Sequence, residues 1–156
     1  MKQKLGFSYS KPDYNFIATY KNGSWDEGHL RTEDTFTIPM MASTFHYGQQ
    51  AFEGMKAYKS KDDKVLLFRI KDNAKRFARS CKQLVMPPVD EDFFMEAVKK
   101  TVLANQHMIP PYGSESSLYI RPFMIGSGHV LGLKAAEEYT FAILVTSVGP
   151  YFPDGL

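Results

Sequence analysis

The sequence is poor in cysteine: Cys81 is the only one, which excludes an intrachain disulfide and leaves no CxxC pair to hold zinc or run dithiol chemistry. A reducing compartment is the natural setting, and a cytoplasmic location is expected. Long apolar runs are also missing. No stretch approaches the ~20 apolar residues that span a bilayer, and the start, MKQKLGFSYS, carries two lysines with no apolar run behind them. Charge of one sign is lacking too. Nineteen Lys and Arg against seventeen Asp and Glu leave a formal charge of +2, too little to argue for a nucleic acid or a membrane surface as partner. The four histidines, at 29, 46, 107 and 129, show neither HxxxH spacing nor a cysteine pair nearby, so no metal site is expected. No serine sits in a GxSxG elbow.

What is present is an ordinary globular composition, with 44% apolar residues over a length of 156 that suits one hydrophobic core. Tyr14, Phe16, Ala18 and Tyr20 alternate with Asn15, Ile17 and Thr19 as in a strand, and Asn22-Gly23 after it is a hairpin turn. Residues 42–50, ASTFHYGQQ, lack clean periodicity. Met55–Tyr58 and Val65–Ile70 read as two short strands joined by the charged turn KSKDDK.

Ala74, Phe77, Ala78, Cys81, Leu84 and Val85 recur at helical spacing behind Asp72 or Asn73 as cap, and Pro87-Pro88 closes that helix. Cys81 on its apolar face reads as a packed thiol, not a nucleophile, and no catalytic residue is assigned. Asp90 caps a second helix with Phe93, Phe94, Ala97, Val98 and Val102 on one side, limited by Pro110-Pro111. SLYIRPFMIG and YTFAILVTSV then read as buried strands. Strands at both ends with two amphipathic helices between them predict an α+β fold with an antiparallel-rich sheet. The tail, GPYFPDGL, reads as a linker, which sets a small domain at 1–148 and the start of an interdomain linker at 149–156.

Two arginines stand out. Tyr119 and Arg121 share one face of their strand, and an arginine in an apolar strand needs either solvent, a structural carboxylate or a bound anion. Spacing alone leaves the anion site and the structural ion pair equal. Arg76 lies with Lys75, Arg79 and Lys82 on the polar side of the first helix, where a solvated basic face is the ordinary reading. Gly126-Ser127-Gly128, with Gly132 beyond, does not fit the GxGxxG spacing and reads as loop flexibility or close backbone approach.

The run FHYGQQAFEGMKAY at 45–58 resembles the HYG…FEG(L/M)KAY signature of the branched-chain amino acid aminotransferases. LFR at 67–69, NAKRFARS at 73–80, SLYIRPFMIG at 117–126 and VGPYF at 148–152 are similar to that family's further blocks, in order. The resemblance implies the small N-terminal domain of a fold-type IV enzyme dependent on pyridoxal 5'-phosphate. Such an enzyme moves the amino group between Leu, Ile or Val and 2-oxoglutarate, within branched-chain amino acid metabolism.

It also implies that the Schiff-base lysine lies in a larger C-terminal domain absent from this chain, so that the piece by itself is inactive. By position, Arg76 matches the arginine that contacts the cofactor phosphate, and this displaces the solvated-face reading. Phe52, Tyr119 and Arg121 match residues around the substrate side chain, with Arg121 placed to receive the distal carboxylate of glutamate. Tyr47, Leu131 and Leu133 match positions contributed across a homodimer interface. The alternatives are another fold-type IV enzyme, such as a D-amino acid aminotransferase or an aminodeoxychorismate lyase, or a non-catalytic binding or assembly module.

Overall fold

The structure is a computed structural model that describes residues 8–150. Its centre is a long antiparallel pair, β7 (Ser117–Gly126) and β8 (Tyr139–Val148), which coincides with the two buried strands read from sequence. β-Branched and aromatic residues on about half of the positions suit strands that are covered over much of their length. β1 (Asn15–Lys21) adds to the free side of β8 and turns back through Asn22-Gly23 into β2 (Ser24–Trp25), as the turn pair predicts, while β3 (His29–Arg31) also pairs with β1. On the other side of β7 lie β4 (Gln50–Phe52) and β5 (Met55–Lys59), with β6 (Val65–Leu67) beyond. The α+β class is therefore as expected, with every strand pair antiparallel.

β4 and β5 pair with β7 in one unbroken register: Phe52 faces Phe123 and Met55 faces Ile120, so Glu53 stands opposite Pro122 and Gly54 opposite Arg121. The Glu53 amide donates to the Pro122 carbonyl at 2.8 Å, but proline has no N–H to return. A proline in a central strand removes one ladder bond, and here the loss separates β4 from β5. Burial alternates cleanly through this stretch. Ala51, Glu53, Met55 and Ala57 turn toward the helices, and Phe52, Gly54, Lys56 and Tyr58 toward the open face.

The covered face is roofed by α2 (Ile70–Gln83) and α3 (Glu91–Ala104). Phe77 from α2 and Phe94 from α3 meet Phe141 of β8 with ring centroids 5.6 and 5.9 Å apart, and Phe16 of β1 approaches the same ring edge-on at 6.2 Å. Truncating a ring at such a junction to alanine costs about 3–5 kcal/mol. Cys81 is buried without exposure on the same face, and its burial pushes the thiol up to about 12. It is the packed thiol that the helical spacing predicts.

Asp90 caps α3 as expected, its carboxylate accepting from the amides of Asp92 and Phe93. The start of α2 differs. The sequence pattern places Ile70 in a strand and the cap at Asp72 or Asn73, whereas the helix begins at Ile70 behind Arg69, which adopts a left-handed φ of 51°. The Asp72 carboxylate accepts from the Arg69 Nε instead of capping. The far end differs as well: α2 stops at Gln83, Val85 has φ 56°, and both Leu84 and Val85 are exposed rather than part of the stripe. The aperiodic 42–50 segment contains a short helix, α1 (Ser43–Tyr47), closed by Gly48 in a left-handed conformation, φ 63°. No helix among the described residues is long and apolar enough to cross a membrane. Of the expected linker at 149–156, only Gly149 and Pro150 fall within the described residues.

Candidate functional site

On the open face, Tyr119 and Arg121 of β7 stand two residues apart and face the same way, as strand periodicity requires. The Tyr119 hydroxyl oxygen accepts from Arg121 Nε at 3.1 Å and from Nη2 at 2.7 Å. Phe52 of β4 supplies a ring whose centroid lies 4.4 Å from the Arg121 guanidinium carbon. An oxygen acceptor and an aromatic face thus orient the guanidinium, and among the described residues no carboxylate pairs with it. Of the two readings left equal by the sequence, the structural ion pair is not what the fold forms at Arg121. The arginine borders a groove of about 390 Å³ whose other walls include Gln50, Phe52, Phe123, Ile125 and Leu144, which share its face of the sheet.

The ion pair is at Arg76. Glu53, on the covered side of the β4–β5 junction, accepts from Arg76 Nε at 2.8 Å and from Nη2 at 2.5 Å, and its Oε1 also takes the Gly54 amide at 2.9 Å. The Glu53 side chain is only 5% exposed, whereas that of Arg76 is 58% exposed. Burial alone would raise the Glu53 pKa, but the hydrogen bonds from Arg76 and the Gly54 amide outweigh it and hold the carboxyl below the usual glutamate range. The same pairing raises the Arg76 pKa.

Phe52, Tyr119 and Arg121 therefore come together, and Arg76 is not joined to them by any hydrogen bond or stacking contact among the described residues. The connection runs through Glu53-Gly54. Gly54 presses against the Tyr119 hydroxyl so closely that an added Cβ would lie 2.7 Å from it, and Asn73, one turn before Arg76 on α2, lines a second groove with Gly54, Phe68 and Tyr119. Sequence reasoning does not single out Glu53. The available signal is an acidic residue at a buried position of an alternating strand.

Tyr47 and Leu131 also meet: the Tyr47 hydroxyl donates to the Leu131 carbonyl at 2.8 Å, while residues Leu131 and Leu133 are 80% and 90% exposed. Their loop is held to the α1 segment by the Val130 amide on the Met41 carbonyl and by Gln49. The Gln49 Oε1 accepts from the Ser43 hydroxyl and the Ala136 amide, and its Nε2 donates to the Leu84 carbonyl and the Tyr139 hydroxyl. Gln49 is a second residue that sequence reasoning misses. Gly126 satisfies the close-approach reading, since a Cβ there would lie 2.0 Å from the Ser43 Oγ. No group of His, Cys, Asp and Glu among the described residues is placed to hold a metal ion.

Residues 50–153 match the family model for amino-transferase class IV, and the chain belongs to that family. It is 49% identical over 154 residues, 99% of its length, to the branched-chain-amino-acid aminotransferase of Helicobacter pylori, and 49% identical over 152 residues, 97% of its length, to that of Haemophilus influenzae. The chain spans 45% and 44% of those two relatives. Among solved structures, it is similar to the branched-chain aminotransferase of Thermoproteus uzoniensis with norvaline, at 25% identity and TM-score 0.65, covering 89% of this chain and 41% of that one. It is also similar to a T.th. branched-chain amino acid aminotransferase complexed with N-(5'-phosphopyridoxyl)-L-glutamate, at 26% identity and TM-score 0.64, covering 86% of this chain and 42% of that one.

Proposed function

We propose that this chain forms the small-domain part of a branched-chain amino acid aminotransferase, which exchanges the amino group of Leu, Ile or Val with 2-oxoglutarate. The observation that carries the reading is the groove at Phe52 and Arg121. The apolar side chains of Phe52, Phe123, Ile125 and Leu144 suit a branched aliphatic side chain, and a guanidinium with no carboxylate partner among the described residues suits the distal carboxylate of glutamate in the same space. Phe52 and the Tyr119 hydroxyl orient that guanidinium, which supports its use as a fixed partner for a distal carboxylate.

Pyridoxal 5'-phosphate would supply the electron sink for amino-group exchange. The residues present fit its phosphate at Arg76: Nε and Nη2 are directed to Glu53, while both Nη1 hydrogens and the outer Nη2 hydrogen take no part in any hydrogen bond among the described residues. The exposed Leu131 and Leu133, on a loop that Tyr47 fastens from within the chain, support a homodimer in which this loop reaches a neighbouring site. The 1–148 domain and 149–156 linker belong to the same proposal.

The holoenzyme carrying this domain should convert leucine with 2-oxoglutarate, and Arg121→Ala should slow the single-turnover reaction with glutamate far more than that with leucine. Equal losses in both half-reactions would remove the carboxylate role, and conversion of D-alanine in place of leucine would move the protein to another branch of the family.

A further inference from the structure

We infer that Glu53 is the positioning residue that aims Arg76 at the cofactor phosphate, an inference that rests on the assignment of Arg76 to that phosphate under the proposed function. Among the buried polar and charged residues described, Glu53 is the one that is ionisable. A buried charge persists only where it is paired and hydrogen-bonded, and Glu53 has three donors: Arg76 Nε, Arg76 Nη2 and the Gly54 amide. Its main chain is pinned as well, through its amide on the Pro122 carbonyl of β7. The carboxylate is therefore a fixed feature of the sheet.

Arg76 is the opposite, a long side chain projecting more than half exposed from α2, free to sample many rotamers unless something holds it. Glu53 grips the side of the fork, which fixes the guanidinium plane and turns the remaining Nη1 and Nη2 hydrogens outward together. The junction between β4 and β5 that carries this brace continues directly into Gly54, against the Tyr119 hydroxyl that holds Arg121. One dipeptide thus sets the phosphate contact on one side and the substrate arginine on the other.

The sign of the effect separates positioning from simple electrostatics. A carboxylate close to a phosphate dianion repels it, so if charge alone mattered, Glu53→Gln would tighten cofactor binding. If aim matters, Glu53→Gln weakens it, because the amide holds the fork with one acceptor where the carboxylate offered two.

The experiment is an absorbance titration of the apo form of the holoenzyme with pyridoxal 5'-phosphate and, in parallel, with pyridoxal, which lacks the phosphate. Glu53→Gln should weaken binding of the phosphorylated form about tenfold and leave pyridoxal within about twofold, and it should have no further effect in an Arg76→Ala background. Arg76→Lys keeps the charge but lacks the planar fork that a side-on carboxylate can orient, and should lose nearly as much affinity as Arg76→Ala even where Glu53→Gln fails to fold. Tighter or unchanged binding in Glu53→Gln, equal losses for both ligands, or near-native affinity in Arg76→Lys would overturn the positioning role while leaving Arg76 at the phosphate. Unchanged affinity in Arg76→Ala would instead remove the phosphate assignment, and this inference with it.

Discussion

Tyr119→Phe deletes one oxygen atom, and its consequence can be worked from the contacts of Arg121. The hydroxyl accepts two hydrogen bonds from the guanidinium, at 2.7 and 3.1 Å, and two rings lie against it, that of Phe52 at 4.4 Å and that of Tyr119 itself at 5.3 Å. Hydrogen bonds to charged groups contribute about 1.5–3 kcal/mol where water is excluded. Tyr119 and Arg121 are half-buried, so water replaces part of what is lost, and the cost falls to about 1 kcal/mol. The ring contacts that remain, at Phe52 and at the retained ring of residue 119, are worth about 0.5–1 kcal/mol each and constrain the guanidinium's height but not its rotation.

Arg121 then loses its aim more than its place, and only a substrate that uses the guanidinium as a partner feels it. On the proposed function, the expected result is a roughly fivefold rise in KM for glutamate and 2-oxoglutarate, the equivalent of about 1 kcal/mol, with the KM for leucine within about twofold. The assay is the pair of single-turnover half-reactions of the holoenzyme, followed by cofactor absorbance. A parallel loss for leucine and glutamate would refute the reasoning, because it would mean that the hydroxyl shapes the groove and does not orient the arginine.

The remaining expectations concern the fold beneath the site. Gly126→Ala forces a Cβ to 2.0 Å from the Ser43 Oγ in a buried position, and should destabilise by about 1–3 kcal/mol, read as a lowered thermal midpoint; an unchanged midpoint would show that α1 yields freely. Cys81, buried and with its thiol pushed up to about 12, should resist iodoacetamide in the native protein and react on unfolding in urea, whereas rapid native labelling would contradict its packing. Glu53 has its pKa lowered by Arg76 and the Gly54 amide against the effect of burial, so its contribution is present above the ordinary glutamate range and fades as pH falls through the lowered value. Denaturant midpoints of the native protein and Glu53→Gln should therefore converge in acid and separate toward neutrality; a gap that does not vary with pH would show that charge is not involved.

Local chemistry is well legible in the sequence. The ends of β7 and β8, the Asp90 cap and the Asn22-Gly23 turn depend on residues close along the chain, and each sits where its pattern puts it. The clustering of Tyr119 with Arg121 follows equally from strand periodicity. What is not legible depends on partners far away. Arg76 looks like part of a solvated basic face because Glu53 is 23 positions distant and reaches it only once β4–β5 is in register and α2 lies over it. Gln49 joins Ser43, Leu84, Ala136 and Tyr139, which nothing in its neighbours announces. The start of α2 is misplaced for a different reason: Arg69 takes a left-handed conformation that its side chain does not favour, so the ordinary cap residues point to the wrong turn.

The unbroken register across Glu53-Gly54 makes the length of this segment as consequential as its composition. A strand shifted by one residue exchanges its two faces. With β5 held in place, deletion of Gly54 would bring Glu53 opposite Arg121 on the open side and turn Phe52 inward beneath α2. A single lost codon would then strip Arg76 of its carboxylate and hand that carboxylate to Arg121, so the two arginines would trade characters without either being mutated. Insertions and deletions between Phe52 and Met55 would thus change what the open face presents without substituting Glu53, Arg76 or Arg121.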